Sequence, residues 1–208
     1  MKGTFEAAFR LVIKHEGGYV DHPQDPGGAT NLGVTIGTLS SYLGRQATKA
    51  EVRALTVDAV KPIYRKRYWD AISGDDLPSG LDYAVFDYAV NSGPARAAMH
   101  LQQVLGVAQD GKIGPITIEA AKKSDPKKLI NALCDRRMQF LRGLSTFPTF
   151  GRGWTNRVSD VRENALGMAV ASTPDQDTET GSEIPAIGIV IAIAAVIAAA
   201  VFFLPIFK

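Results

Sequence analysis

The chain has 208 residues, 46% of them apolar and 21% charged, so it can bury a sizeable core and is not disordered as a whole. A single cysteine, Cys134, excludes an internal disulfide and a cysteine-held metal cluster, which leaves packing to hold the fold. The net charge is +2; residues 171–208 set Asp175, Asp177, Glu179 and Glu183 against Lys208, so residues 1–170 carry +5, a modest excess that suits an anionic polymer.

The first residues do not read as a secretion signal, because Glu6, Arg10 and Lys14 interrupt the apolar positions. Instead Phe5, Phe9, Val12 and Ile13 recur at helical spacing and predict an amphipathic helix. Glu16 follows Phe9 by seven residues and returns to the azimuth of that stripe, and Gly17-Gly18 then ends the helix. A carboxylate thus stands where a core residue is expected, on the last helical turn. Gly17 to Gly37 holds too many breakers for a helix, and within it "NLGVTIGTL" predicts a short strand or two. Thr48 and Glu51 form a capping box that opens a short helix through Ala54.

"TVDAVKPIYRKRYWDAI" is helical in pattern, with Pro62 expected to kink it or delay its start. The next helix runs from about Ser79 to Val90, with Leu81, Val85 and Tyr88 on one face. Asn91-Ser92-Gly93 closes it, and Pro94 starts another that ends at Gly106. "VAQDGKIGPIT" is a turn-rich loop before a short helix opened by Pro115. Asp125-Pro126 launches the helix that carries Cys134 and Phe140, and a final helix begins near Trp154 and fades before Ser172. Residues 171–183 read as an acidic flexible linker. Residues 184–207 carry no charge and are long enough to cross a bilayer as a helix.

Three side chains invite a chemical reading: Glu16, Asp25 nine residues on, and Thr30 five after that. The breaker-rich segment between them can fold back over the helix end, and loops on a rigid scaffold are where reacting groups tend to sit. Desolvation on an apolar face favours the neutral form of a carboxyl, which equips it to donate a proton. An aspartate in a polar turn stays ionised and orients water, assisted by a hydroxyl. Two carboxyl groups in unlike surroundings are the minimum equipment for cleaving a glycosidic bond. Spacing alone fits better a solvated acid at a helix end and an ordinary Asp-Pro turn. His15, His22, His100 and one cysteine make a metal site improbable, and there is no serine elbow or phosphate-binding glycine loop.

"EGGYVDHPQDPGGATNLGVT" resembles the amino-terminal signature of glycoside hydrolase family 108, bacterial and phage N-acetylmuramidases that cut peptidoglycan. The resemblance continues through "YRKRYWDAI", "FDYAVNSGP", "LQQVLGVAQDGKIGPIT" and "GWTNRV". It implies a mainly α, lysozyme-like fold with a small β element after the first helix, to which the apolar run adds a C-terminal transmembrane helix. Residues 1–92 then form the catalytic region and 93–170 a helical predicted peptidoglycan-binding region. By the same resemblance Glu16 is the general acid, Asp25 and Thr30 hold the attacking water, Tyr19 stacks on a sugar and Asn91 bonds an acetamido group. Similarity to phage-type lysozymes implies inversion at the anomeric carbon.

The expected function is hydrolysis of the β-1,4 bond between N-acetylmuramic acid and N-acetylglucosamine, for phage-type lysis or local wall remodelling. The alternative is a membrane-tethered, muramidase-like binding scaffold without activity. No cofactor is expected, since acid–base hydrolysis needs none. Peptidoglycan and, through 184–207, the lipid bilayer are the expected partners; a nucleic-acid partner is not expected, and the chain is expected to be a monomer. The acidic linker and Lys208 predict a single-pass inner-membrane protein with its catalytic region facing the periplasm.

Overall fold

The computed structural model describes residues 4–21 and 28–171, all within one packed unit. Asp25 and residues 172–208 lie outside the described residues. Helix α1 (Thr4–Ile13) buries Phe5, Ala8, Phe9 and Val12, the stripe its spacing predicts. It ends three residues earlier than expected. Two tight turns, His15 N–H to the Val12 carbonyl and Glu16 N–H to that of Ile13, carry the chain onward, so Glu16 stands just beyond the helix.

"TNLGVT" folds into a two-stranded antiparallel hairpin, β1 (Thr30–Asn31) and β2 (Val34–Thr35), with Asn31 opposite Val34. Val20 bridges to Thr30 across the segment between. Thr35 caps α2 (Ile36–Leu43), and the Thr48–Glu51 capping box opens α3 (Lys49–Arg53). The buried Asn31 amide donates to the carbonyls of Val52, Arg53 and Leu55, so the hairpin itself caps the carboxy end of α3. Helix α4 (Val57–Tyr64) starts without delay on the Thr56 cap and keeps Pro62 inside it. It then widens into a π-type turn at Arg65–Trp69.

At the centre lies α5 (Leu81–Ser92), whose residues from Leu81 to Ala89 are all buried. A helix covered on every side belongs in the middle of a bundle, and α5 packs against α1, α6 (Pro94–Leu105), α8 (Pro126–Arg142) and α9 (Phe147–Ala171). Between α6 and α8 stands the short α7 (Pro115–Lys123). The Gln102 amide organises the loop before it, donating to Asp110, the Lys112 carbonyl and Thr117 and accepting from Gly111 N–H. Helix α9 begins seven residues before the expected start. Pro148 is tolerated in a first turn, and the bare Cα of Gly151 lets the Phe147 ring lie on the helix, where a Cβ would come within 2.8 Å of it.

The expected transmembrane helix is corrected here. Among the described residues no helix is long and apolar enough to cross a membrane. The longest, α9, has 25 residues but carries Arg152, Arg157, Asp160, Arg162 and Glu163, charges that hydrocarbon does not solvate. Residues 184–207 lie outside the described residues. The fold class is mainly α with a small β element, and the single-pass inner-membrane location loses its support.

One buried base makes the core sensitive to acid. Tyr88 Oη stands 2.6 Å from His100 Nδ1. Burial pushes the tyrosine up to about 12, so it donates and the imidazole accepts. Burial first, then the charges of Arg136 and Arg96, push His100 from 6.5 down to about 4. The unfolded chain therefore binds more protons than the folded one between those values. His100 should contribute fully above about pH 6.5 and be opposed progressively as pH falls towards 4, by at most about 3 kcal/mol and less to the extent that solvent screens the imidazole. Urea unfolding at pH 7, 5.5 and 4 should show that loss in the parent and a smaller one in His100→Gln.

Candidate active site

Glu16 is fixed from two sides by local geometry. The Gly17 carbonyl accepts from Leu32 N–H at 3.1 Å, which pins the hairpin tip to the end of α1. Leu32 and Gly33 both take positive φ, 49° and 70°, the requirement of a two-residue type I′ turn. A leucine rarely adopts that conformation. Here both its backbone groups are engaged, because its carbonyl also accepts from Tyr64 Oη at 3.0 Å. Gly33 presents its Cα to the carboxyl group. A Cβ there would lie 2.7 Å from Glu16 Oε2 and 2.3 Å from Tyr64 Oη, so the position has no room for a side chain.

From the far side comes Arg157 of α9, whose two terminal nitrogens donate to Glu16 Oε1 at 3.2 Å each. The same guanidinium grips Asp87 of α5, through Nη2 at 2.9 Å and Nε at 3.1 Å to Oδ2. Arg137 of α8 completes the set, reaching Asp87 Oδ1 at 2.7 Å while its guanidinium covers the Tyr88 ring. Two acids and two guanidinium groups thus join the segment after α1 to α5, α8 and α9 with no net formal charge. The exposure rises outward: the Asp87 side chain has none, Arg157 has 14% and Glu16 has 17%.

Electrostatics follow that gradient. Burial pushes Asp87 up, but Arg137 and then Arg157 outweigh it and hold the carboxyl below the ordinary range. Asp82 is the contrast. It is equally buried, and among the described residues its donors are neutral, Thr4 Oγ1 at 2.6 Å and backbone N–H groups; burial raises it, outweighing those bonds and the positive charge of the amino terminus. Burial opposes the charge on Arg157 as well, yet Asp87 and Glu16 raise its pKa. Tyr64 is raised by burial and by the Glu16 charge, so its hydroxyl remains a neutral donor.

The remaining expected residues scatter around this centre. Thr30 sits in β1, paired to Val20 by two backbone bonds of 2.8 Å, with its hydroxyl donating to the Gly28 carbonyl at 3.2 Å. Asp25 falls outside the described residues. Tyr19, three residues past Glu16, lines a cleft of about 430 Å³ with Asp21, Lys49 and Arg53, and the Arg53 guanidinium covers one face of its ring at 4.5 Å. Asn91 is exposed on the last turn of α5 and accepts from Ser92 Oγ. A second cleft, of about 240 Å³ and including Thr38, Tyr42, Lys66 and Arg67, has no carboxyl group among the described residues of its wall.

Sequence reasoning missed Arg157, Asp87, Tyr64 and Gly33 as parts of this site. Asp87 left a signal, an acid inside the apolar run "LDYAVFDYAV". Arg157 left none of its own, since nothing in "GWTNRV" points 141 residues back to Glu16.

Comparison with known proteins agrees with this architecture. Residues 9–93 match the family described as Glycosyl hydrolase 108, and residues 96–159 match a Predicted Peptidoglycan domain. The solved structure of Brucella abortus SagA is similar at 55% sequence identity, with a TM-score of 0.74 over 81% of this chain and 97% of that one. No curated protein matches the chain. Glu16 lies in the first matched region and Arg157 in the second, so their ion pair crosses between the two.

Two substitutions test the construction. Gly33→Ala should destabilise by about 2–4 kcal/mol, from left-handed backbone plus overpacking. Gly44→Ala, at similar φ but with open space around it, should cost only about 1–2 kcal/mol, and urea unfolding of both isolates the clash. Arg157→Leu strips one of two counter-charges from a buried carboxylate and should cost about 3–5 kcal/mol by the same measurement, with Arg157→Lys intermediate.

Proposed function

The chain belongs to the glycosyl hydrolase 108 family and carries a predicted peptidoglycan domain beside its hydrolase region, and from that premise we propose that it is an N-acetylmuramidase. It hydrolyses the β-1,4 bond between N-acetylmuramic acid and N-acetylglucosamine, opening the wall in lysis or in local remodelling. The observation that carries this reading is the asymmetric hold on Glu16. Arg157 occupies Oε1, while among the described residues no hydrogen bond engages Oε2, which lies against the bare Cα of Gly33.

Glu16, the ion-pair partner of Arg157 in the resting site, takes up a proton from solvent on Oε2 and delivers it to the glycosidic oxygen as the bond to the anomeric carbon breaks. The carboxylate left behind is stabilised by Arg157, whose fork also fixes which oxygen faces the substrate. Asp87 neutralises part of that cation, and Tyr64 holds the hairpin tip through the Leu32 carbonyl. Asp25 and Thr30 orient a water that attacks the anomeric carbon from the opposite face, its proton passing to Asp25, with inversion as the outcome. Tyr19 offers the ring face left open by Arg53 to a sugar, and Asn91 offers its amide to an acetamido group.

The test compares the full chain with Glu16→Gln on purified peptidoglycan, reading reducing ends and the mass of the released muropeptides. The variant should lose activity by roughly 10²–10⁴-fold while keeping the parent's melting temperature within a few degrees. Products should end in reducing N-acetylmuramic acid. A parent that sediments with the wall but releases no reducing ends removes the hydrolytic reading and leaves a wall-binding module.

A further inference from the structure

Helix α9 does more than deliver Arg157. At its amino end Phe147, Phe150 and Trp154 form an aromatic cluster, with ring centroids 6.1 Å apart for Phe147–Trp154 and 5.9 Å for Phe150–Trp154. Phe147 and Trp154 rest partly against the core, but Phe150 is 54% exposed. A phenylalanine needed only for packing would be covered. Clustered aromatic surface left in water usually serves a contact.

The position of the cluster says what that contact is. Phe150 and Arg157 are seven residues apart, so at roughly 100° per residue they return to within about 20° of the same azimuth, separated by roughly 10 Å along the helix. Trp154 lies between them, three residues before Arg157 and in contact with Phe150. One ridge of α9 therefore runs from an exposed aromatic surface to the guanidinium that touches Glu16. The spacing is of the order of a disaccharide. The Phe150 and Trp154 rings adjoin, with centroids 5.9 Å apart and planes inclined by 33°, and of the two aromatic faces Phe150 supplies the more exposed. Such faces fit the C–H faces of pyranose rings, which are apolar and carry their hydroxyl and acetamido groups at the edge.

We propose that Phe150 and Trp154 form a glycan subsite, a stacking platform that binds a β-1,4-linked strand of N-acetylated amino sugars extending from the bond next to Glu16. The proposal rests on the hydrolase reading for the identity of the strand. Its geometry rests on α9 alone. The platform would hold sugars away from the cleaved bond, so truncating it weakens substrate binding more than it slows the chemical step.

The chain supplies its own reporter. It has two tryptophans; Trp69 is fully buried, whereas Trp154 is only partly so. Full-length Glu16→Gln, chosen so that the probe survives, is titrated with tetra-N-acetylchitotetraose while tryptophan fluorescence is followed. The signal should change saturably. The change should vanish in Glu16→Gln/Trp154→Phe, which keeps an aromatic face but removes the reporter. It should require about tenfold more sugar in Glu16→Gln/Phe150→Ala. In the otherwise unaltered enzyme, Phe150→Ala should raise KM on peptidoglycan by a similar factor with kcat within about twofold, and the exposed position should leave the fold intact. A fluorescence change retained without Trp154, or unaltered affinity and KM in Phe150→Ala, overturns the proposal. So does a parent dimer that Phe150→Ala converts to a monomer in sedimentation, since the cluster would then join copies of the chain. Loss of cleavage together with an intact Trp154 response would overturn the hydrolase reading and leave the platform standing, so the two fail separately.

Discussion

Asp87 is an ionised group with no access to water, placed at the centre of the bundle, and the site is built on how its charge is compensated. A buried carboxylate left alone costs several kcal/mol or takes up a proton. Here two guanidinium groups from two different helices surround it, and Arg157 has enough donors left to reach Glu16. The carboxyl at the edge of the site is therefore held by a charge that is itself held by the interior. Its partner cannot swing away without leaving Asp87 short of a counter-charge. Arginine is suited to this double task because its planar fork presents five donors, where lysine offers one mobile point charge.

The second restraint on Glu16 is steric and comes from the hairpin. Leu32 bears a backbone conformation that costs it energy, and three attachments hold the turn in place: its N–H to Gly17, its carbonyl to Tyr64, and the neighbouring Asn31 amide to the end of α3. Strain of this kind persists only where the surroundings over-determine it. The result is a bare Cα against one carboxyl oxygen and a guanidinium against the other. Electrostatics fixes one oxygen and sterics shapes the space at the other.

Most of the helical skeleton was legible from periodicity, caps and breakers. The Thr48–Glu51 box, the Pro94 start and the Asp125 cap are local signals, and each marks the element it predicts. Where the reading failed, the deciding contact was distant or specific to one side chain. Helix α1 stops at Ile13 because tight turns already place Glu16 before the glycines are reached. Helix α9 starts early because Pro148 falls in its first turn and Gly151 admits a phenylalanine ring. The apolar run 184–207 suggested a membrane span by composition alone, yet the described helices owe their burial to one another. As for the site, Glu16 stood out because an acid on an apolar stripe is locally anomalous. Arg157 did not, because an arginine on an amphipathic helix is ordinary until its partners are known.

That separation has a consequence for how the molecule comes into being. Glu16 leaves the ribosome 141 positions ahead of Arg157. The contact that fixes the carboxyl is thus one of the longest loops the chain must close, of the kind that forms late and slowly. A nascent chain that has folded only its first matched region, residues 9–93, carries the acid but not its clamp. The site is completed by the arrival of α9, so a truncated product that lacks it would display the family's signature and lack the arrangement that positions its glutamate.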